Sequence, residues 1–471
     1  VKLLSLALLF LACVCPGLTQ EKSVPSIDTV IAALPHTGLT RDQDALVLAR
    51  FIEHAQAFAI TRTDESIAES LREHGPERFC WVDFSYLNCL NIAYQLTSDT
   101  QHLDRFRDSF SAYINSLSRG QDGFLGWYGK TLELRQLPDQ PDLEVDELQT
   151  NFRAIGILST WIELARGQTA YAERNAETIA AYLDLMEQHF FPKWDKRGHF
   201  VLVPGRGGTY RALDYPRTIE VSLSFEKLSI MVDALLRLHR VTGSDTYLKR
   251  ALQIGAWFKS HLILQDEHYE WMSWVPSGPW DVSPTGEDRW TVNWMAPDPN
   301  GTWYVASLSI ALNLYQHGLL FDDMDLARFI RTQREQCWNG DLEEPVYRRV
   351  SGDRDQWTRG RFLSYSIAHY DEALKTLAFA GPHESQALND TESSWKGGAN
   401  AQSYIVEKYL IAPIIEATPQ PFAAVGQTFL SNDGNQPFYD LLNKEVHEPG
   451  SIPARRPSDL FAVPPDTSPT E

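Results

Sequence analysis

The feature that most restricts this chain is a recurring pairing of helical segments. Apolar residues return at three- and four-residue steps in segment after segment, the period of one face of a helix. Four junctions share one pattern. They are Tyr94-Gln95-Leu96-Thr97-Ser98-Asp99, Leu164-Ala165-Arg166-Gly167-Gln168-Thr169, His239-Arg240-Val241-Thr242-Gly243-Ser244-Asp245 and His317-Gly318-Leu319-Leu320-Phe321-Asp322. Each ends one helix in small or polar residues and caps the next with Ser, Thr or Asp. Short turns of this kind make antiparallel hairpins. Six pairs are expected, over 42–74, 81–118, 146–190, 220–264, 303–338 and 361–415.

The connections between pairs, 119–145, 191–219, 265–302 and 339–360, exceed the roughly 12–15 residues beyond which a structureless loop is uncommon. Repeats tend to place long insertions on one face, often the binding face. Loops this uneven disfavour an open solenoid and favour a closed ring of inner and outer helices. The chain resembles the (α/α)6 toroid of the six-hairpin glycosidase and polysaccharide lyase superfamily. The resemblance is carried by Arg240-Val241-Thr242-Gly243-Ser244-Asp245-Thr246-Tyr247-Leu248-Lys249-Arg250-Ala251, its weaker echoes at the other junctions, and Asp122-Gly123-Phe124-Leu125-Gly126-Trp127-Tyr128. It implies an all-α toroid over most of residues 42–415, with its long loops at one end and a glycan bound in a cleft there. No catalytic motif of a member family matches, so it assigns no catalytic residue.

The ends read differently. Lys2, the apolar run Leu3–Ala12 and the small residues that follow resemble a secretory signal over 1–19, too short to span a bilayer. The expected location is secreted or periplasmic, with lipoprotein anchoring at Cys13 as an alternative. From Thr418 to Glu471 the chain holds nine of its 26 prolines, a composition that suits an extension, partly disordered, beyond a catalytic domain at 20–417. Beyond the signal three cysteines remain: Cys80, Cys89 and Cys337. If Cys80 and Cys89 were both helical they would stand ~13 Å apart along the axis, too far to bridge. Three buried thiols are the preferred reading, and a Cys80–Cys89 bridge requires Cys80 to lie in the preceding loop. No zinc-ligand spacing occurs, so neither a metal nor a cofactor is expected.

A net charge of −20 argues against a surface that binds nucleic acid throughout. Against that background two basic clusters stand out. One is Lys196, Arg197, His199, Arg206, Arg211 and Arg217; the other is Arg348, Arg349, Arg354, Arg359 and Arg361. Arginine binds carboxylate and sulfate bidentately, so an acidic polysaccharide or oligosaccharide is the expected partner; pairing with nearby acids such as Asp353 and Asp355 is the plainer alternative. Residues 265–303 hold six of the 14 tryptophans. Trp271, Trp274, Trp290 and Trp294, with Trp127 in its own loop, are candidates to stack on sugar faces, or else they pack the loops as a lid.

For chemistry, Leu363, Ile367, Tyr370, Leu374 and Leu377 form one stripe of a helix expected from Arg361, and Arg361, Tyr365 and His369 step by four on the opposite side. These types suit β-elimination beside a uronate. A cation neutralises the carboxylate, and Tyr or His removes the C5 proton. The alternative is a self-satisfied polar stripe. A hydrolase, including one like the unsaturated uronyl hydrolases, needs paired carboxylates instead. Asp83, Asp146 and Glu147 are the leading candidates, with Glu220 and Asp371 behind them. Acids at helix starts are also favoured by capping alone, and Asp322-Asp323 reads as a cap. His199, Tyr210 and Tyr215 are further candidates. Beta-elimination is the preferred reaction, hydrolysis the second, and a glycan-binding toroid without catalysis the third.

Overall fold

A computed structural model describes residues 39–129, 144–203, 205–212, 221–277, 297–298, 302–353, 364–380 and 398–413. The chain is mostly helical. In chain order the helices are α1 (Arg41–Ile60), α2 (Asp64–His74), α3 (Phe84–Thr97), α4 (Thr100–Asn115), α5 (Leu148–Arg166), α6 (Thr169–Arg174), α7 (Ala176–Asp184), α8 (Pro192–Lys196), α9 (Phe225–Thr242), α10 (Asp245–Lys259), α11 (Thr302–Gln316), α12 (Asp323–Arg331), α13 (Tyr365–Ala368), α14 (Glu372–Phe379) and α15 (Gly398–Ile405). Wider π-type turns cover Phe79–Asp83, Leu185–Phe190, Thr332–Gln336 and Val406–Ile411.

All six expected pairs contain helices, and their ends follow the local chemistry. Thr40 and Thr63 cap α1 and α2 reciprocally with Gln43 and Ser66, each satisfying an otherwise unpaired first-turn N–H. Ser98 turns left-handed at the end of α3 and Asp99 then caps α4. Gly243, at φ 73°, separates α9 from α10. Asp322 caps α12 through the N–H groups of Met324 and Asp325, as its sequence context predicts.

The long connections are not wholly irregular. Short antiparallel strands occur at β1 (Ser118–Arg119) with β2 (Leu125–Gly126), β3 (Tyr128–Gly129) with β4 (Val145–Asp146), and β8 (Ile263–Gln265) with β9 (His268–Glu270). A three-stranded sheet runs β5 (Phe200–Val203), β6 (Gly207–Ala212) and β7 (Val221–Ser222), with Phe200 opposite Tyr210 and Arg211 opposite Ser222. Gly207 is required there: at φ 111° a side chain would run into the Gln253 carbonyl and the Trp257 amide.

Two compact units emerge from the contacts. The first takes the described residues of 1–194, 233–248 and 364–422; its core includes Phe51, Leu90, Phe106, Phe110, Phe152 and Trp161. The second takes those of 195–232 and 249–363 and centres on Phe258, Trp271, Tyr304 and Phe329. Among the described residues no helix is long and apolar enough to cross a membrane.

Cys80, Cys89 and Cys337 are all buried free thiols, the preferred expectation. Burial pushes the thiols of Cys89 and Cys337 up, away from the reactive thiolate. Native protein should therefore leave all three unmodified by a thiol reagent at neutral pH, and unfolding should expose them. Rapid labelling of any of the three in native protein, read by mass spectrometry, would contradict their burial.

Candidate functional site

The three carboxylates expected at helix starts all lie in the first unit, and the structure separates their roles. Glu147 is the cap of α5: its Oε2 accepts from the Thr150 amide and hydroxyl, each at 2.5 Å. Asp146 accepts from Lys193 Nζ at 2.5 Å and from Asn151 Nδ2 at 3.2 Å. Lys193 also donates to the Leu125 carbonyl at 2.8 Å, which ties β2 and α8 to the start of α5. Both acids thus hold local partners at the start of α5.

Asp83 is different. It precedes α3 but makes no side-chain capping bond. It closes the π-type turn Phe79–Asp83, a widened turn often found at functional positions. Its side chain is fully buried. The Tyr113 hydroxyl donates to Oδ2 at 3.0 Å, with Arg62 Nη1 3.5 Å from the same oxygen. Arg78 Nε is 3.7 Å from Oδ1, beyond hydrogen-bond reach, and among the described residues that oxygen accepts no hydrogen bond. Desolvation raises the Asp83 pKa above the usual 3.8, against the opposing pull of Arg62, Arg78, Tyr113 and His74. The cause is visible in the neighbours. Phe79, Phe84, Tyr113 and Trp127 form an edge-on aromatic cluster with centroids 4.9–5.9 Å apart. A buried carboxyl with one oxygen that accepts no hydrogen bond and a raised pKa is suited to holding a proton.

Arg62 and Arg78 are partly exposed and lead from Asp83 towards solvent. Trp81, in the same turn, is 41% exposed. Sequence reasoning missed Arg62, Arg78, Trp81 and Tyr113. The signal available was the dense run Arg78-Phe79-Cys80-Trp81-Val82-Asp83-Phe84, in which one acid stands among aromatics. The turn packs against α5, and Thr150 Oγ1 donates to the Pro76 carbonyl at 2.8 Å just before it.

Several expectations need correction. The helix expected from Arg361 is not continuous. α13 ends at Ala368, and Asp371 starts α14 by accepting from the Ala373 and Leu374 amides. Tyr365 and His369 remain four apart across this short helix and its C-cap, and Arg361 lies outside the described residues. Tyr365 packs its ring against Phe379 and Tyr404. His369 Nε2 meets Glu407 Oε2 at 2.9 Å, 3% exposed and stacked on Phe379. Trp127, Trp271 and Trp274 are fully buried and offer no ring face to a sugar. Their indole N–H groups donate to the carbonyls of Tyr113 and Ser222 and to Asp298, respectively for Trp127, Trp274 and Trp271. Burial pushes Asp298 up to about 6 despite the Ser307, Trp271 and Ser273 side chains, a second perturbed carboxyl that the sequence did not signal.

Arg217, Arg354, Arg359 and Arg361 of the two basic clusters lie outside the described residues. Arg206 Nη1 lies 3.3 Å from His261 Nε2. Arg211 belongs to β6, where its carbonyl meets His199 Nδ1 at 2.7 Å. His199 and Tyr210 are buried. Trp290, Trp294, Arg217, Arg359, Tyr215 and Glu220 lie outside the described residues. Among the described residues no group of three His, Cys, Asp or Glu side chains could hold a metal ion. No protein-family model matches the chain, and no curated protein matches it.

Proposed function

We propose that the chain is a carbohydrate-active enzyme whose helical hairpins form an (α/α)6 toroid, and that it hydrolyses a uronate-containing polysaccharide with Asp83 as the general acid. The observation that carries this reading is the Asp83 carboxyl: buried, uncapped, with one oxygen unbonded and its proton held more tightly than usual. Asp83 gives that proton to the leaving glycosidic oxygen as the C–O bond breaks. A second carboxylate takes a proton from the attacking water. Asp146 and Glu147, on the adjoining start of α5, are the residues proposed for that second role. Trp81 offers an exposed aromatic face for a sugar ring, and the interleaved arginines suit an acidic chain. Beta-elimination is the less favoured reaction, because Tyr365 packs its ring against Phe379 and Tyr404 and His369 is engaged by Glu407.

The test is incubation of the full chain with a panel of uronate and neutral polysaccharides. New reducing ends without absorbance from unsaturated ends are expected on a uronate substrate. Unsaturated ends would replace hydrolysis with elimination. Binding to a polysaccharide without either product would leave a glycan-binding protein.

A further inference from the structure

The groups that meet the sealed Asp83 carboxyl differ in exposure. Tyr113, which donates to Oδ2, is itself fully buried. Arg62, 3.5 Å from the same oxygen, keeps 16% of its side chain exposed. Arg78, 3.7 Å from Oδ1, keeps 38% and is the most exposed of the three. Oδ1 is shut off from water and accepts no hydrogen bond among the described residues. Among these three neighbours, the way from Oδ1 to solvent runs past Arg78.

The two arginines also differ in how firmly they are held. Arg62 Nε and Nη2 donate to Thr61 Oγ1 at 3.3 and 3.1 Å, and its guanidinium lies 4.3 Å from the centre of the Phe58 ring. That ring is stacked in turn on Tyr86, with centroids 4.7 Å apart. A planar cation tied at one edge and covered on one face has little freedom. Arg78 is anchored at its backbone instead. Its amide donates to the Gly75 carbonyl at 3.4 Å, and the Phe79 amide donates to the Pro76 carbonyl at 3.0 Å. Its side chain makes no hydrogen bond among the described residues, and Nε stops 3.7 Å from Oδ1, beyond the ~3.2 Å reach of a good N–H···O bond. An ion pair this long, with one partner open to water, holds weakly.

Arg78 carries more donors than Asp83 can use. Nε is its nearest approach to the carboxyl, which leaves the two terminal nitrogens for a second anion. End-on pairing of those nitrogens with a carboxylate is bidentate, and stronger than a contact that falls short of hydrogen-bond length. A uronate brings such a carboxylate on the ring whose glycosidic bond is to be broken.

We propose that Arg78 is a gate over Asp83 that a uronate opens: its terminal nitrogens pair with the sugar carboxylate, the guanidinium leaves Oδ1, and the acid is uncovered. Arg62 stays in place beside Oδ2, with Thr61 and Phe58 as its positioning residues. The identity of the ligand rests on the hydrolase reading; the gate is a property of the unliganded chain. A neutral sugar has no anion to draw Arg78 away, so the substrate's charge decides access to the acid as well as binding.

The first test needs no substrate. The full chain is treated with a carbodiimide and an amine, and labelled carboxyls are located by mass spectrometry. Asp83 should stay unlabelled in the native protein and become labelled in Arg78→Ala. Labelling of Asp83 in the native protein, or equal protection in folded Arg78→Ala, would overturn the gate. The second test compares uronate oligosaccharides with their carboxyl-reduced counterparts as substrates. The native protein should favour the uronate in kcat/KM by about 10–100-fold, the range for hydrogen bonds to a charged group. Arg78→Ala should erase that preference by losing on the uronate and gaining on the neutral substrate. Arg72→Ala, which removes an exposed charge from α2, should keep it. If Arg78→Ala fails to fold, Arg78→Lys retains the charge without the planar pair of donors and should keep only part of the preference. An undiminished preference in either folded Arg78 variant, or equal losses on both substrates, would overturn the proposal. Hydrolysis without an Arg78-dependent preference would sink the gate and leave the hydrolase reading standing. Arg78-dependent protection of Asp83 without hydrolysis of either substrate would do the reverse.

Discussion

Replacing Asp83 with Asn should lower turnover by ~10²–10⁴-fold, the usual contribution of a positioned general acid, while the folded protein becomes more stable wherever the native carboxyl is ionised. The two effects have one cause. Asp83 is fully buried, and desolvation raises its pKa. The folded state therefore binds its proton more tightly than the unfolded state does. The resulting stabilisation is fully present below the unfolded value of 3.8 and is lost as pH rises through the raised folded value. Above that folded value the carboxyl is a buried negative charge, offset only in part by Arg62 and Arg78 at 3.5 and 3.7 Å. Asn keeps the shape and can still accept from the Tyr113 hydroxyl, without the charge. A gain of about 0.5–2 kcal/mol is expected, the scale seen when an activity-bearing strain is relieved. Denaturant unfolding across a pH series should show the gain growing as pH rises through the folded value and disappearing in acid. A variant that is fully active would remove Asp83 from the chemistry. One that is inactive but markedly destabilised would show an ion cluster that serves the fold.

Most of the helical organisation was legible in the sequence because its determinants are local. Thr40, Thr63, Asp99 and Asp322 cap helices through bonds spanning only two or three residues, and such chemistry survives without knowledge of the rest of the chain. The break after Ala368 shows the limit of periodicity. Ile367, Leu374 and Leu377 are all buried as their spacing predicts, yet the Asp371 side chain captures two amides and restarts the helix between them. The same residue had been read only as a candidate acid. The tryptophans failed for another reason. Composition reveals large flat side chains but not which way they face, and the polar edges of Trp127, Trp271 and Trp274 are consumed by partners 14 to 52 residues away. Asp83 was legible as a carboxylate at a helix start. Its distinction from Asp146 and Glu147 was not, because it depends on Tyr113, Arg62 and a π-type turn.

Replacing Lys193 with Met should destabilise the first unit by about 3–5 kcal/mol, the cost of leaving one partner of a buried ion pair alone. Lys193 and Asp146 are 2.5 Å apart with side chains 0% and 1% exposed. Lys193 Nζ also satisfies the Leu125 carbonyl and lies 5.0 Å from the Trp194 ring centre. Its removal strands the Asp146 carboxylate beside Gly126, where a side chain's first carbon would stand 2.5 Å from Asp146 Oδ2 and water has little room to replace the ammonium. Asp146 would keep its bond from Asn151. The double variant Lys193→Met, Asp146→Asn removes both charges, retains an acceptor for Asn151, and should recover much of the loss. A double-mutant cycle read by denaturant unfolding separates the pair from the packing of the Lys193 stem. Additive losses would mean that the stem, not the charge pair, holds β2 and α8 against α5. Recovery in the double variant together with retained turnover would assign Asp146 to architecture and leave Glu147 as the carboxylate to test beside Asp83.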